Sequence, residues 1–424
     1  MFDPLLLVLA VLPAPPAGPP IRLADLIEEA RRRNPEIAAL QSQTRAAEAA
    51  TSAAGALDDP LLMVQLWNMP VDLSTVPLMV NVTQTLPLGG KREARRDEAQ
   101  AAVETSRGGA ATRERDIENQ IAHAYFDLFL ADRTMEIDVE IGRNLETLVA
   151  ASAARLSAGR GEESEVLRAE SEALKVQSDR EAARGRRGAA AATLVALLDR
   201  PAGSAIGRTA EPGLLPALPS VEELRAQALR DRPELAVATA ASRATEARLR
   251  MARAEAVPDL GASAGEMHMF GSSSRPADFL FLGLQANLPL FAGKNRARVA
   301  EADARVSAAR ADSQALENRI AAEVADAFAE VQAETRQAQL HHQLIPLARQ
   351  ALSSALASYA AGRGTFAMVL DAERDLQMHE LDLAAHLAAY SQRLADLERA
   401  VGSDVGLVRA SASGTHGAHQ EVSP

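Results

Sequence analysis

The chain contains no cysteine. That excludes disulfides, thiolate metal sites, cysteine nucleophiles and a lipid-bearing amino-terminal cysteine, while leaving an oxidising compartment open to it. Aromatic residues are scarce at 3%, although apolar residues reach 47% and alanine dominates them. Compact cores draw much of their burial from large aromatic and branched side chains. Alanine instead suits closely packed helices, so the chain reads as extended and helix-rich. Long apolar runs are missing as well. The run from Leu5 to Leu12 falls far short of the ~20 residues a spanning helix needs, so any membrane crossing must use strands. Positive charge is in deficit: the net charge is −12, which removes support for a nucleic-acid partner. No nucleophile–base arrangement, metal-ligand cluster or phosphate loop occurs at meaningful spacing, so neither an enzyme nor a cofactor is expected.

The first residues, MFDPLLLVLAVLPAPPAGPP, resemble the core of a secretory signal followed by an Ala/Pro-rich cleavage region, without the usual positive charge ahead of it. Residues 1–20 are expected to be a leader.

What the chain does have is a copy of itself. AGRGEESEVLRAE, from Ala158 to Glu170, matches AGRGTFAMVLDAE, from Ala361 to Glu373, at an offset of 203. The same offset pairs Gly90-Lys91 with Gly293-Lys294, and upstream it falls to 198, pairing Asn34-Pro35-Glu36 with Arg232-Pro233-Glu234 and Pro60 with Pro258. The reading is therefore two tandem repeats, 21–200 and 220–406, joined by a Gly- and Pro-bearing linker over 201–219 and followed by a disordered tail over 407–424. Each repeat opens with a helix (about Leu23 to Leu57, and Val221 to Ala256) broken where proline disfavours helix for the residue before it. Each later carries a long run of helix formers. A helix from Lys294 to Ile345 would be roughly 75–80 Å long at 1.5 Å per residue. The AGRG elements predict helix reversals, because glycine readily takes the left-handed conformation that ends a helix.

Between the helices lie short alternating runs. Val76, Leu78, Val80, Val82 and Leu86 share one face, with Met79, Asn81, Thr83 and Thr85 on the other. In the second repeat Leu280, Leu282, Leu284, Ala286 and Leu288 oppose Gly283, Gln285 and Asn287. Strands are expected over 61–69, 76–87, 259–270 and 279–289, about the length of a tilted membrane strand. An open sheet edge is forbidden in lipid, and closing a barrel takes about eight or more strands, so several chains must share one. The second strand of each pair ends in a turn, LPLGGKR with Pro87, Gly89, Gly90 and Lys91, and LPLFAGKN with Pro289, Gly293 and Lys294. Proline ends the ladder, glycine allows the change of direction, and the lysines suit an anionic lipid boundary.

The tandem repeat, the Asn-Pro-Glu and Arg-Pro-Glu steps, the two turns and the late YAAGRGTFAMVLDAE segment together resemble the TolC-like outer membrane efflux protein family from about Ile21 to Gly406. That resemblance implies a mainly α fold with a membrane β-barrel: a homotrimer, four strands per chain, joining a twelve-stranded barrel in outer-membrane lipid to a long α-helical barrel in the periplasm. It also implies a closed tip that docks a periplasmic adaptor and an inner-membrane pump of the resistance-nodulation-division type. By position, the gate would comprise Tyr359, Met368 and Asp371, with Glu165 and Arg168 as their first-repeat counterparts. The tips that meet the adaptor would be Gly159, Arg160 and Gly161, and Gly362, Arg363 and Gly364. Acidic residues are frequent in the family where Met368 stands, and arginine occurs in some members where Gly364 stands, so part of the usual carboxylate ring is absent here.

LPLGGKR and NMPVD, Asn68 to Asp72, are similar to the family's heavy-metal branch. Met63, Met69 and Met79 surround the first hairpin, and Met267, His268 and Met269 lie in the second. Thioether and imidazole ligands suit Cu(I) or Ag(I), yet methionine also fills apolar surfaces, and a strand sets Met267 and Met269 opposite His268. The pair His341-His342 diverges by about 100° on a helix, and His416 and His419 fall in the tail. Two other readings remain at this point: a duct of the same fold for drugs or small molecules, and an elongated coiled-coil scaffold without a pore.

Overall fold

The computed structural model describes residues 20–66, 77–269 and 277–412. Most of the expected leader, the NMPVD segment, Met69, Val76 and the last residues of the tail lie outside them. The first repeat runs α1 (Leu23–Arg33), α2 (Pro35–Ala54), β1 (Leu61–Leu66), β2 (Leu78–Leu86), α3 (Lys91–Ser157) and α4 (Glu163–Leu197). The second runs α5 (Val221–Asp231), α6 (Pro233–Ala254), β3 (Leu260–Met269), β4 (Ala277–Ala286), α7 (Ala292–Ala360) and α8 (Phe366–Val401), followed by α9 (Leu407–Ala412).

The proline steps act as their chemistry dictates. Asn34 closes α1 with ψ 120°, and Arg232 precedes α6 with ψ 120° and Pro233 in the first turn. Both residues sit in the extended region that a following proline imposes, and proline at the first helical position lacks only an N–H that would have no helical partner. Asn34 Nδ2 also donates to the carbonyl of Leu197 at 2.9 Å, which ties the first break to the end of α4.

Two expectations about the helical segments need correction. The second long helix was expected to stop at Ile345, but α7 continues through Pro346 to Ala360. An internal proline removes a helix hydrogen bond and crowds the preceding turn, at about 3 kcal/mol. Ile345, Ala348 and Leu352 pack into a core on either side of it, and that burial offsets the cost. The tail is also ordered further than expected. Glu398 Oε1 accepts from the backbone N–H groups of Val405, Gly406 and Leu407 at 2.7–2.9 Å, and α9 follows with Leu407 buried. Burial pushes the Glu398 carboxyl up to about 7.

The chain divides into two compact units. One comprises Met1–Pro35, Glu114–Asp231 and Ile320–Pro424. Its core joins Ile137, Ile141, Leu145 and Leu148 of α3 and Val176 of α4 to Leu352 and Tyr359 of α7 and Phe366, Val369 and Leu370 of α8. The linker is held here by two tyrosines. Tyr125 donates to the Ile21 carbonyl at 2.9 Å and accepts from the Ala210 N–H at 3.2 Å. Tyr390 accepts from the Leu215 N–H at 3.0 Å.

The other unit comprises Glu36–Arg113 and Arg232–Arg319. Its helices pack through small residues: Ala240, Ala247 and Ala254 of α6 are buried, and a Cβ at Gly108 would stand 2.5 Å from Val237. Its sheet has the order β1-β2-β3-β4, antiparallel throughout. β4 ends at Ala286, short of the expected 289.

Candidate functional site

Three regions carry the expected function: the sheet, the turns that leave it, and the helix reversals with the groove beside them. In the sheet, the register aligns Leu62, Val64 and Leu66 with Val82, Val80 and Leu78, and then with Ala264, Glu266 and His268. Leu284, Leu282 and Leu280 continue the same face beside Ala262, Ala264 and Glu266. Leu280, Leu282 and Leu284 are 87%, 89% and 88% exposed. Water would not leave three adjacent leucines bare on a strand at the sheet's edge; lipid does. The opposite face carries Asn81, Thr83, Thr85, Ser263 and Gln285, mixed with Leu61, Met63 and Phe281. Toward the far end of β3 the apolar face gives way to Glu266 and to His268, whose Nδ1 is paired with Asp278. Met267 lies on the other face beside Met79 and Phe279, so Met267 and His268 do not converge, and the side chain of Met269 is outside the described ones.

The two Gly-Lys turns, alike in sequence, differ in structure. Gly89 and Gly90 take φ of 72° and 82°, whereas Gly293 lies within α7. Lys91 is buried, and its Nζ donates to Asp259 Oδ1 at 2.6 Å and to the Val257 carbonyl at 2.9 Å. The same carboxylate oxygen accepts from the Leu88 N–H at 3.1 Å. Lys91 is thus a fastener between the repeats and not the lipid-boundary cation expected; only Lys294 is exposed.

The reversals are near copies. Gly159 and Gly362 take φ of 68° and 70°. The Arg160 N–H reaches back to the Arg155 carbonyl at 2.9 Å, and that of Arg363 to the Ser358 carbonyl at 3.0 Å. Gly161 and Gly364 follow without positive φ, and Arg160 and Arg363 are exposed. Arg155 ties α3 to α7: its guanidinium carbon stands 4.4 Å over the Tyr359 ring and its Nη1 donates to the Tyr359 carbonyl at 3.3 Å.

Of the expected gate residues, Tyr359 is buried in the core, and its hydroxyl donates to Glu165 Oε2 of α4 at 3.0 Å. Burial pushes its phenol above the usual range. Arg168 is exposed on α4. Met368 and Asp371 stand instead on an open groove between α7 and α8, a cavity of about 580 Å³, with Asp375 and His379 further along it. The sequence reading missed Asp375, His379, Asp382 and His386. Their spacing of three and four residues along α8 was the available signal, since it places them on one helix face.

The sequence profile of the outer membrane efflux protein family matches the chain twice in succession, over residues 26–200 and 224–403. The chain belongs to this family. The efflux protein is 24% identical over 401 residues to the cobalt-zinc-cadmium resistance protein CzcC of Cupriavidus metallidurans, covering 92% of each chain. Among solved structures it superposes on the outer-membrane channel OprN with a TM-score of 0.79 and 21% identity, covering 90% of each chain. CusC, a transmembrane channel, gives the same score and identity over 90% of this chain and 92% of its own. Long helices with four antiparallel strands per chain are the fold of the TolC-like trimeric channels. The efflux protein is accordingly a channel and not an enzyme, placed in the outer membrane of a Gram-negative bacterium and extending into the periplasm. Among the described residues no helix is long and apolar enough to cross a membrane.

Proposed function

We propose that three copies pool their four-stranded sheets into one twelve-stranded barrel, and that the duct carries heavy-metal cations from the periplasm to the exterior. The observation that carries the cargo reading is the groove between α7 and α8. Its lining includes Asp371, Asp375, the thioether of Met368 and the imidazole of His379, and neither lysine nor arginine. Carboxylates brought together around a pore by symmetry attract cations and repel one another, while sulfur and imidazole favour transition metals over alkali ions. The name of CzcC, a cobalt-zinc-cadmium resistance protein, supports the same class. In this reading Asp371 and Met368 form the periplasmic constriction, with Tyr359, Glu165 and Arg168 behind it. The reversals at Gly159, Arg160 and Gly161, and at Gly362, Arg363 and Gly364, dock a periplasmic adaptor that links the duct to an inner-membrane pump of the resistance-nodulation-division type.

Single-channel recording of the reconstituted trimer tests this assignment. Replacing Asp371 with alanine is expected to reduce cation selectivity and block by Co(II) or Zn(II) several-fold. Conductance, selectivity and block all unchanged from the parent would remove Asp371 from the gate.

A further inference from the structure

Along α8, Met368, Asp371, Asp375, His379, Asp382 and His386 recur at spacings of three or four residues. Five turns at 3.6 residues each separate the first from the last, so they form one straight stripe along the helix. Opposite its upper part, α7 presents His341 and, two turns earlier, Glu334. The ring of His341 lies 5.4 Å from that of His379 and 5.2 Å from that of His386, centre to centre. His341 Nδ1 is 3.9 Å from Asp382 Oδ2, too far for a hydrogen bond.

One ligand atom from each of His341, His379 and Asp382 falls within 4.8 Å of the others. Metal bonds of about 2.0–2.2 Å to such ligands would draw these atoms to roughly 3.3–3.5 Å apart, which side-chain rotation can supply. The Nδ1 atoms of both His341 and His379 are buried without a hydrogen-bond partner. A buried imidazole nitrogen left unpaired costs about 1–3 kcal/mol, and two on neighbouring rings across a helix pair call for a shared occupant. His386 borders the cluster with its Nδ1 2.7 Å from Glu334 Oε2, a carboxylate that fixes ring orientation as carboxylates beside metal sites do.

We propose that His341, His379 and Asp382 bind one d-block divalent cation of the Zn(II), Co(II) or Ni(II) class and cross-link α7 to α8. Two imidazoles and a carboxylate suit these ions better than Cu(I), which prefers sulfur, or Mg(II), which prefers an all-oxygen shell. Three protein ligands leave a coordination position to solvent, and Asp382 is 45% exposed, so the site exchanges its ion instead of sealing it in. The proposal stands whatever cargo passes through the duct, because it concerns equilibrium binding between two helices and not conduction.

The test is titration of the full-length detergent-solubilised protein, carrying no polyhistidine tag and with His416 and His419 changed to Gln, with CoCl2, followed by visible absorption and then displacement by ZnCl2. One Co(II) per chain is expected, displaced by Zn(II) but not by Mg(II). His341→Ala and His379→Ala should each weaken binding by at least about tenfold. Asp382→Asn, nearly isosteric and exposed, tests the same site without disturbing packing and should also weaken binding, whereas His342→Ala, on an exposed neighbour, should leave it unchanged. Absence of saturable binding, or equal affinity in the parent, the Asp382→Asn variant and a His341→Ala/His379→Ala double variant, would overturn the proposal.

Discussion

Lys91 and Lys294 occupy the same place in two copies of one sequence, yet only Lys91 is buried against a carboxylate. The repeats differ at the partner position as well as in the turn itself. Asp259 follows Pro258 in the second repeat, and its counterpart after Pro60 is Leu61. Removing the ammonium would leave the Asp259 carboxylate, 23% exposed, without its cation and the Val257 carbonyl without its donor. Lys91→Ala is therefore expected to destabilise the protein by about 1.5–3 kcal/mol, while Lys294→Ala stays within about 0.5 kcal/mol. Unfolding in detergent monitored by circular dichroism separates the two, and equal shifts would show that the buried pair contributes nothing of its own.

At the scale of the element, the reversals depend on backbone conformation. An alanine at Gly362 or Gly159 must adopt positive φ, costing roughly 1–2 kcal/mol. Alanine at exposed Gly185 inside α4 meets open space and should stabilise its helix by about 0.5–1 kcal/mol. Amide exchange is expected to move in opposite directions: faster around residues 355–366 in Gly362→Ala, slower along α4 in Gly185→Ala. These reversals were legible in the sequence because glycine leaves a local mark, and β2 and β4 were legible because lipid on one side enforces alternation. The proline breaks at Asn34 and Arg232 were legible for the same local reason. Pro346 misled, since its local preference for a helix end lost to packing by Ile345 and Ala348. The role of Lys91 and the meeting of His341 with His379 were hidden because each partner lies in another element, where spacing along one helix or strand carries no information. Asn34 anchoring to Leu197 was invisible for that reason too.

At the scale of the whole molecule, the sheet has two open edges, β1 and β4, and a leucine face on β4 that one chain leaves uncovered. Both conditions are met when β4 of one copy pairs with β1 of the next and the leucines face lipid. Arginine in place of Leu282 should then cost about 2–4 kcal/mol near the middle of the bilayer, and the yield of assembled protein in outer-membrane fractions should fall sharply. Arginine in place of Gln285, on the opposite face, is expected to assemble normally and to change only conductance. Equal yields from the two would contradict the assignment of faces. The Lys91 fastening, finally, bears on how such a gene can evolve. A tube assembled from six identical single-repeat chains of the first kind would place an ammonium against leucine at every seam. The two halves are thereby no longer interchangeable, since only the second carries the aspartate that a lysine at this place can bind.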